Sequence, residues 1–156
     1  MQIMTYARRL FAFFLGTFAW EVQSVVDGAA STTTAETVVG FVPKAPGGNA
    51  SRAKVLRVYY LPGAGLTAHD TTYATITVSK YTAAGASKTT VASITTKITG
   101  GSGDWTAFVP MEITLSATAA NLILESGAML TYEVAKASTG VAIPAGKLVV
   151  VLSDAY

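Results

Sequence analysis

The chain has 156 residues, about half of them apolar and only 13% charged, with a formal net charge of +2 and no cysteine. That length suits one domain with its own core and an appended arm. The lack of cysteine excludes disulfides, thiolate metal sites and cysteine nucleophiles, while Lys and Arg residues adjacent only at Arg8-Arg9 speak against a nucleic-acid binder.

The N-terminal twenty residues, MQIMTYARRLFAFFLGTFAW, combine two arginines with a short apolar run. No A-x-A-like cleavage site follows the run, and Leu10 to Trp20 is about half the ~20 residues a bilayer-spanning helix needs. Ile3, Tyr6, Ala7, Leu10, Phe11 and Phe14 fall on one helical face, with Gly16 as a stop. The pattern predicts an amphipathic helix whose apolar stripe is buried on a neighbouring subunit, with packing on its own sheets as the alternative. The expected interaction residues are Ile3, Tyr6, Arg8, Arg9, Leu10, Phe11, Phe14, Phe18 and Trp20. A membrane-surface helix is disfavoured, because two arginines attract lipid weakly.

From Glu21 the chain is expected to be extended (EVQSVV), to turn at Asp27-Gly28 and to cross a polar linker at Ser31 to Thr34. Glu36 to Val42 reads as a strand ended by Pro43. The predicted organisation is an arm over residues 1–43, helix then extended segment, and a β-sandwich over 44–156. In Lys54 to Leu61, Leu56, Val58 and Tyr60 alternate with Val55, Arg57 and Tyr59. Tyr73 to Tyr81 reads as a half-buried strand with Ala74, Ile76 and Val78 inward and Ser79 outward. A turn at Ala83-Ala84-Gly85 leads into Lys88 to Ile98, where Ala92, Ile94, Thr96 and Ile98 share a face, making a hairpin. After Gly100 to Gly103, Trp105, Ala107, Val109, Met111, Ile113 and Leu115 read as one face of a strand interrupted at Pro110. Leu130, Tyr132 and Val134 mark the next strand, and Leu148 to Leu152 a central one. Short strands punctuated by turns predict an all-β, antiparallel sandwich, jelly-roll-like rather than immunoglobulin-like.

The chemistry-bearing residues are sparse. His69 is the only histidine, too few for a zinc site and without a nucleophile elbow to make a triad; Asp70 beside it is expected to cap the backbone before Tyr73. Glu112 and Glu133, on separate predicted strands, could form a glycosidase pair only if the fold brought them together. Trp105 opens a strand and is expected in the core rather than stacked on a sugar. No glycine-rich segment is followed by the Lys-Ser/Thr of a phosphate loop. The expectation is a non-enzyme with no catalytic, cofactor-binding or metal-binding residues.

The stretches KVLRVYYLPGAGLTAHDTTYATITVSKY (Lys54 to Tyr81), Trp105 to Leu115, and MLTYEVAKASTGVAIPAGKLVVVL (Met129 to Leu152) resemble the β-sandwich modules of tailed-phage virion proteins, particularly capsid decoration (cement) proteins and head fibres. That resemblance implies a structural protein on the outer capsid surface, a homotrimer that binds the major capsid protein and stabilises the shell. The alternative reading is a receptor- or glycan-binding tip module, with Trp105 and the loops at Ala64 to Asp70 as contacts. Neither nucleic acid nor membrane is an expected partner.

Overall fold

A computed structural model describes residues 6–9, 19–29, 35–42 and 52–155. Among them the chain forms strands β1 (Tyr6–Arg9), β2 (Ala19–Val26), β3 (Ala35–Phe41), β4 (Ala53–Pro62), β5 (Ala74–Tyr81), β6 (Lys88–Thr95), β7 (Met111–Glu112), β8 (Thr114–Leu115), β9 (Ile123–Leu124), β10 (Met129–Lys136) and β11 (Gly146–Asp154), with one 3-10 turn at Ala119–Leu122. Two antiparallel sheets result. The first runs β1-β2-β11-β4-β7, with β9 also on β4, and the second runs β3-β10-β5-β6-β8.

The pairing is a wrap. β2 lies beside the last strand and β3 beside the second-to-last, while β4 and the β5–β6 hairpin fill the other halves. This is the jelly-roll arrangement of an antiparallel sandwich. β2 and β3 fall within the expected arm of residues 1–43, yet each is a strand of the sandwich itself, paired over most of its length with β11 and β10.

The helix expected at the N-terminus is corrected where the chain is described. Tyr6–Arg9 is a strand, running antiparallel to β2 with Tyr6 opposite Gln23 and Arg9 opposite Trp20. β2 presents a row of backbone donors and acceptors on that side, and pairing them outweighs a helical period carried by side chains alone. Ile3, Leu10, Phe11, Phe14 and Phe18 lie outside the described residues.

Between the sheets, alternate positions interlock. Val26 and Trp20 of β2, Val58 and Tyr60 of β4, Ile76 and Val78 of β5, Leu130, Tyr132 and Val134 of β10, and Leu148, Val150 and Leu152 of β11 face the core. Three bulges interrupt the alternation. On β4, Arg57 pairs with Val151 and Val55 with Leu152, which leaves Leu56 as the extra residue. Val55 is therefore buried with Val58 and Tyr60, and Leu56 points out, opposite to the strict period-two expectation. On β6 the extra residue is Val91, so Val91 and Ala92 are both buried. On β3 it is Val39.

The run from Trp105 to Leu115 is not one strand. Trp105 makes an isolated bridge to Leu66, β7 pairs with β4 in the first sheet and β8 with β6 in the second. The chain crosses between sheets at Ile113, fully buried and donating its N–H to the Val58 carbonyl.

Candidate functional site

The loops 63–73, 96–110 and 137–145 meet at one end of the sandwich, because β4, β6 and β10 end there while β5, β7 and β11 begin there. Hydrogen bonds hold the first two of these loops together. Leu66 and Trp105 exchange both backbone bonds, at 3.0 and 2.8 Å. Asp104 accepts from the Ala68 N–H at 2.8 Å. Asp70 accepts from the backbone N–H of Thr99 at 2.7 Å and from its hydroxyl at 3.0 Å, bonds that hold its carboxyl below the usual range. Asp70 thus ties the two loops together, a correction to its expected role as a cap before Tyr73.

Trp105 is a core residue. It is 6% exposed, its ring packs tilted on Tyr60 with centroids 5.6 Å apart, and its indole N–H donates to Ser102 Oγ at 2.8 Å. A ring so covered offers no face for a sugar, which removes it from the expected glycan contacts.

From this buttressed base one loop projects. Phe108 donates its backbone N–H to the Pro62 carbonyl at 2.8 Å and Val109 donates to Thr106 at 3.2 Å. Between these bonds Phe108 takes φ = 62°, in the left-handed region that costs a non-glycine residue about 1–2 kcal/mol. Phe108 is 78% exposed, and Val109 beside it is 52% exposed. The expectation that Val109 faces the core fails here. Pro110 cannot donate to a ladder and biases Val109 to extended backbone, and the chain joins the first sheet only at Met111.

Below the tip lies a small pocket of about 130 Å³ lined by Asp104, Trp105, Thr106, Val109 and Pro110 among others. Ligand clefts are roughly 300 Å³ or more. The pocket suits a single side chain rather than a substrate.

The other candidate residues are dispersed. Glu112 sits on the first sheet, paired with Arg57 at 3.2 Å. Glu133 sits on the second, paired with Lys88 at 2.5 Å. The sandwich places these carboxylates on different sheets, so they do not form a glycosidase pair. His69 is exposed, and among the described residues no three His, Cys, Asp or Glu side chains are grouped to hold a metal ion. Trp20 is half-buried against the chain's own core. The backbone of Tyr6, Arg8 and Arg9 lies in β1.

Phe108 was not among the residues singled out from sequence. The signal present is the Phe-Val-Pro triplet, two large apolar side chains followed by a residue that cannot donate to a ladder. No protein-family model matches the chain, and no curated protein matches it.

Proposed function

We propose that this chain is a non-catalytic assembly module, a decoration protein that binds the outer surface of a virus shell and stabilises it. The observation that carries the reading is the Phe108–Val109 tip: two large apolar side chains held out from a hydrogen-bonded loop in a conformation that costs energy. Strain of that kind persists only where the surroundings fix it, and it gathers at functional positions. An exposed aromatic on a rigid base is what an interface anchor requires, since little entropy remains to be lost on docking.

The virion context is supported by the resemblance of the Lys54–Tyr81, Trp105–Leu115 and Met129–Leu152 stretches to phage sandwich proteins. The jelly-roll wrap supports it by analogy, because capsid domains are among the bearers of that fold. The major capsid protein is the proposed partner.

Co-sedimentation of the purified chain with undecorated shells tests the reading. Binding that drops at least tenfold in Phe108→Asp, with the melting profile unchanged, supports it. Shell binding indifferent to Phe108, or no shell binding by the wild-type chain, overturns it.

A further inference from the structure

The two outer faces of the sandwich differ in kind. On the second sheet, the register places Thr75 opposite Thr95 and Thr77 opposite Ser93, beside the Glu36–Lys88–Glu133 ion network. That face is mainly polar, with Val38, opposite Thr131, as its exposed aliphatic side chain. On the first sheet, the outward positions of β2, β11 and β4 form three rows: Val25–Lys147–Leu61, Gln23–Val149–Tyr59 and Glu21–Val151–Arg57. Five of these nine side chains are aliphatic or aromatic. Val25 is 71% exposed and Val149, Val151, Tyr59 and Leu61 are part-buried.

The pattern has a symmetry. β11 is the middle strand of the three, so a two-fold axis running along it exchanges β2 of one copy with β4 of another. Applied to the rows, that operation lays Val149 over Val149, Val151 over Val151, Val25 over Leu61 and Gln23 over Tyr59. It also lays Glu21 over Arg57, and by the same symmetry Arg57 over Glu21. Val25, Leu61, Val149 and Val151 meet apolar side chains, Gln23 meets Tyr59, and Glu21 and Arg57 meet each other twice. Lys147 meets its own copy, but at the loop end of the axis, where the long stem can cover Val25 and Leu61 and leave the ammonium in water.

We infer that the chain forms a two-fold dimer with a second copy of itself through this face, β11 stacked on β11. An isologous contact needs a self-complementary patch, and these nine positions make one. A face that bound a strongly charged partner would carry one sign throughout, whereas here Glu21 stands against Arg57 and Lys147. Arg57 and Glu21 each have a polar partner within their own chain. Arg57 bonds Glu112 at 3.2 Å and Glu21 accepts from Gln23 at 2.9 Å, and Arg57 and Glu112 are both more than half exposed. The nine residues make a small interface, so the dissociation constant should be roughly micromolar or weaker. This dimer is separate from the shell contact at Phe108, and it gives two-fold rather than threefold association.

Sedimentation equilibrium of the full chain from roughly 1 µM to 1 mM tests the inference. The mass should rise from 16.1 kDa toward twice that value. Glu21→Arg alone sets Arg against Arg, and Arg57→Glu alone sets Glu against Glu, so each should weaken the dimer by about tenfold or more. An equimolar mixture of the two variants pairs opposite charges at both contacts and should restore the dimer. Circular dichroism checks that each variant is folded, and Val25→Asp, at an exposed position, gives an independent disruption. A wild-type monomer throughout, a trimer, dimers insensitive to all three substitutions, or a mixture that stays monomeric would each overturn the two-fold face.

Discussion

The rings of Tyr60 and Tyr132 lie nearly parallel in the middle of the core, with centroids 6.0 Å apart and planes 9° apart. They face each other from opposite sheets, yet their hydroxyls are treated differently. Tyr60 donates to the Pro144 carbonyl, while the Tyr132 hydroxyl has no hydrogen-bond partner among the described residues. A satisfied buried hydroxyl contributes about 1 kcal/mol, and an unsatisfied one costs about 1–3 kcal/mol. Tyr60→Phe should therefore lose about 1 kcal/mol of stability, while Tyr132→Phe should be neutral or stabilising. Urea unfolding of the two variants, compared at constant slope, checks the contrast.

The same burial sets an alkaline limit. It pushes the Tyr60 phenol up to about 12 and the Tyr132 phenol further in the same direction. A phenol whose folded pKa is raised contributes stability that is complete below its unfolded value of about 10 and is lost as pH rises through the folded one. The fold should weaken from about pH 10 toward pH 12. Phenolate absorbance should show these two tyrosines ionising only together with loss of the native circular dichroism. Ionisation of all seven tyrosines in a chain that keeps its fold would contradict the stacked pair.

Gly146 governs the same ring from the side. A Cβ at this position would lie 2.3 Å from the Leu61 carbonyl oxygen and 2.9 Å from the Tyr60 ring and hydroxyl. The backbone of β4 cannot retreat without breaking its pairing with β11. Gly146→Ala should push Tyr60 off Pro144 and cost about 2 kcal/mol or more. Combined with Tyr60→Phe it should cost less than the sum, because both changes remove one hydrogen bond. A thermal double-mutant cycle measures the difference.

The sheets were legible where period two ran unbroken. Ala74, Ile76 and Val78 face inward as their alternation predicts, and so do Leu130, Tyr132 and Val134. The reading failed at Leu56 because one extra residue in a strand reverses every side chain beyond it, and a bulge leaves no residue type as its mark. Ser79 failed differently: it lies on the outer side of β5 as expected but is fully buried there. At the N-terminus, Tyr6–Arg9 fits a helical period and an edge strand equally in sequence; only the open side of β2 decides. The candidate site was the least legible part. The loop that holds Phe108 out is fixed by a hydrogen bond to Pro62, a residue 46 positions earlier, and no local pattern records that pairing.

Lys88 fastens the outer face of the second sheet. Its ammonium lies 2.9 Å from Glu36 on β3 and 2.5 Å from Glu133 on β10, the two carboxylates sitting directly opposite each other across those strands. The Thr131 hydroxyl, then Lys88, holds the Glu36 carboxyl below its ordinary value. A depressed carboxyl contributes stability that is present above its unfolded pKa of 4.5 and lost as pH falls through the folded one. Lys88→Met leaves two facing carboxylates without their cation. It should cost on the order of 1 kcal/mol at neutral pH, given the partial exposure of all three groups. Below pH 4.5 the variant should approach the wild type. Denaturation midpoints followed from neutral to acid pH would test this, and a difference that stays constant with pH would contradict the ion network.

At Phe108 stability and function should separate. The residue is 78% exposed, so its removal forfeits little burial, and its φ of 62° favours glycine. Relief of about 1–2 kcal/mol is partly offset by the 0.5–1 kcal/mol that glycine loses in chain entropy, so Phe108→Gly should gain roughly 0.5–1 kcal/mol. The same substitution deletes the apolar tip, so shell binding should fall while the melting temperature rises. Phe108→Asn should share the gain in part, since asparagine tolerates the left-handed region better than an aromatic does. If both variants melt lower than the wild type, the Phe108 ring is held by contacts that outweigh its backbone strain, and the tip is a packing element rather than an anchor. If they melt higher and still bind shells, the contact lies elsewhere on the sandwich.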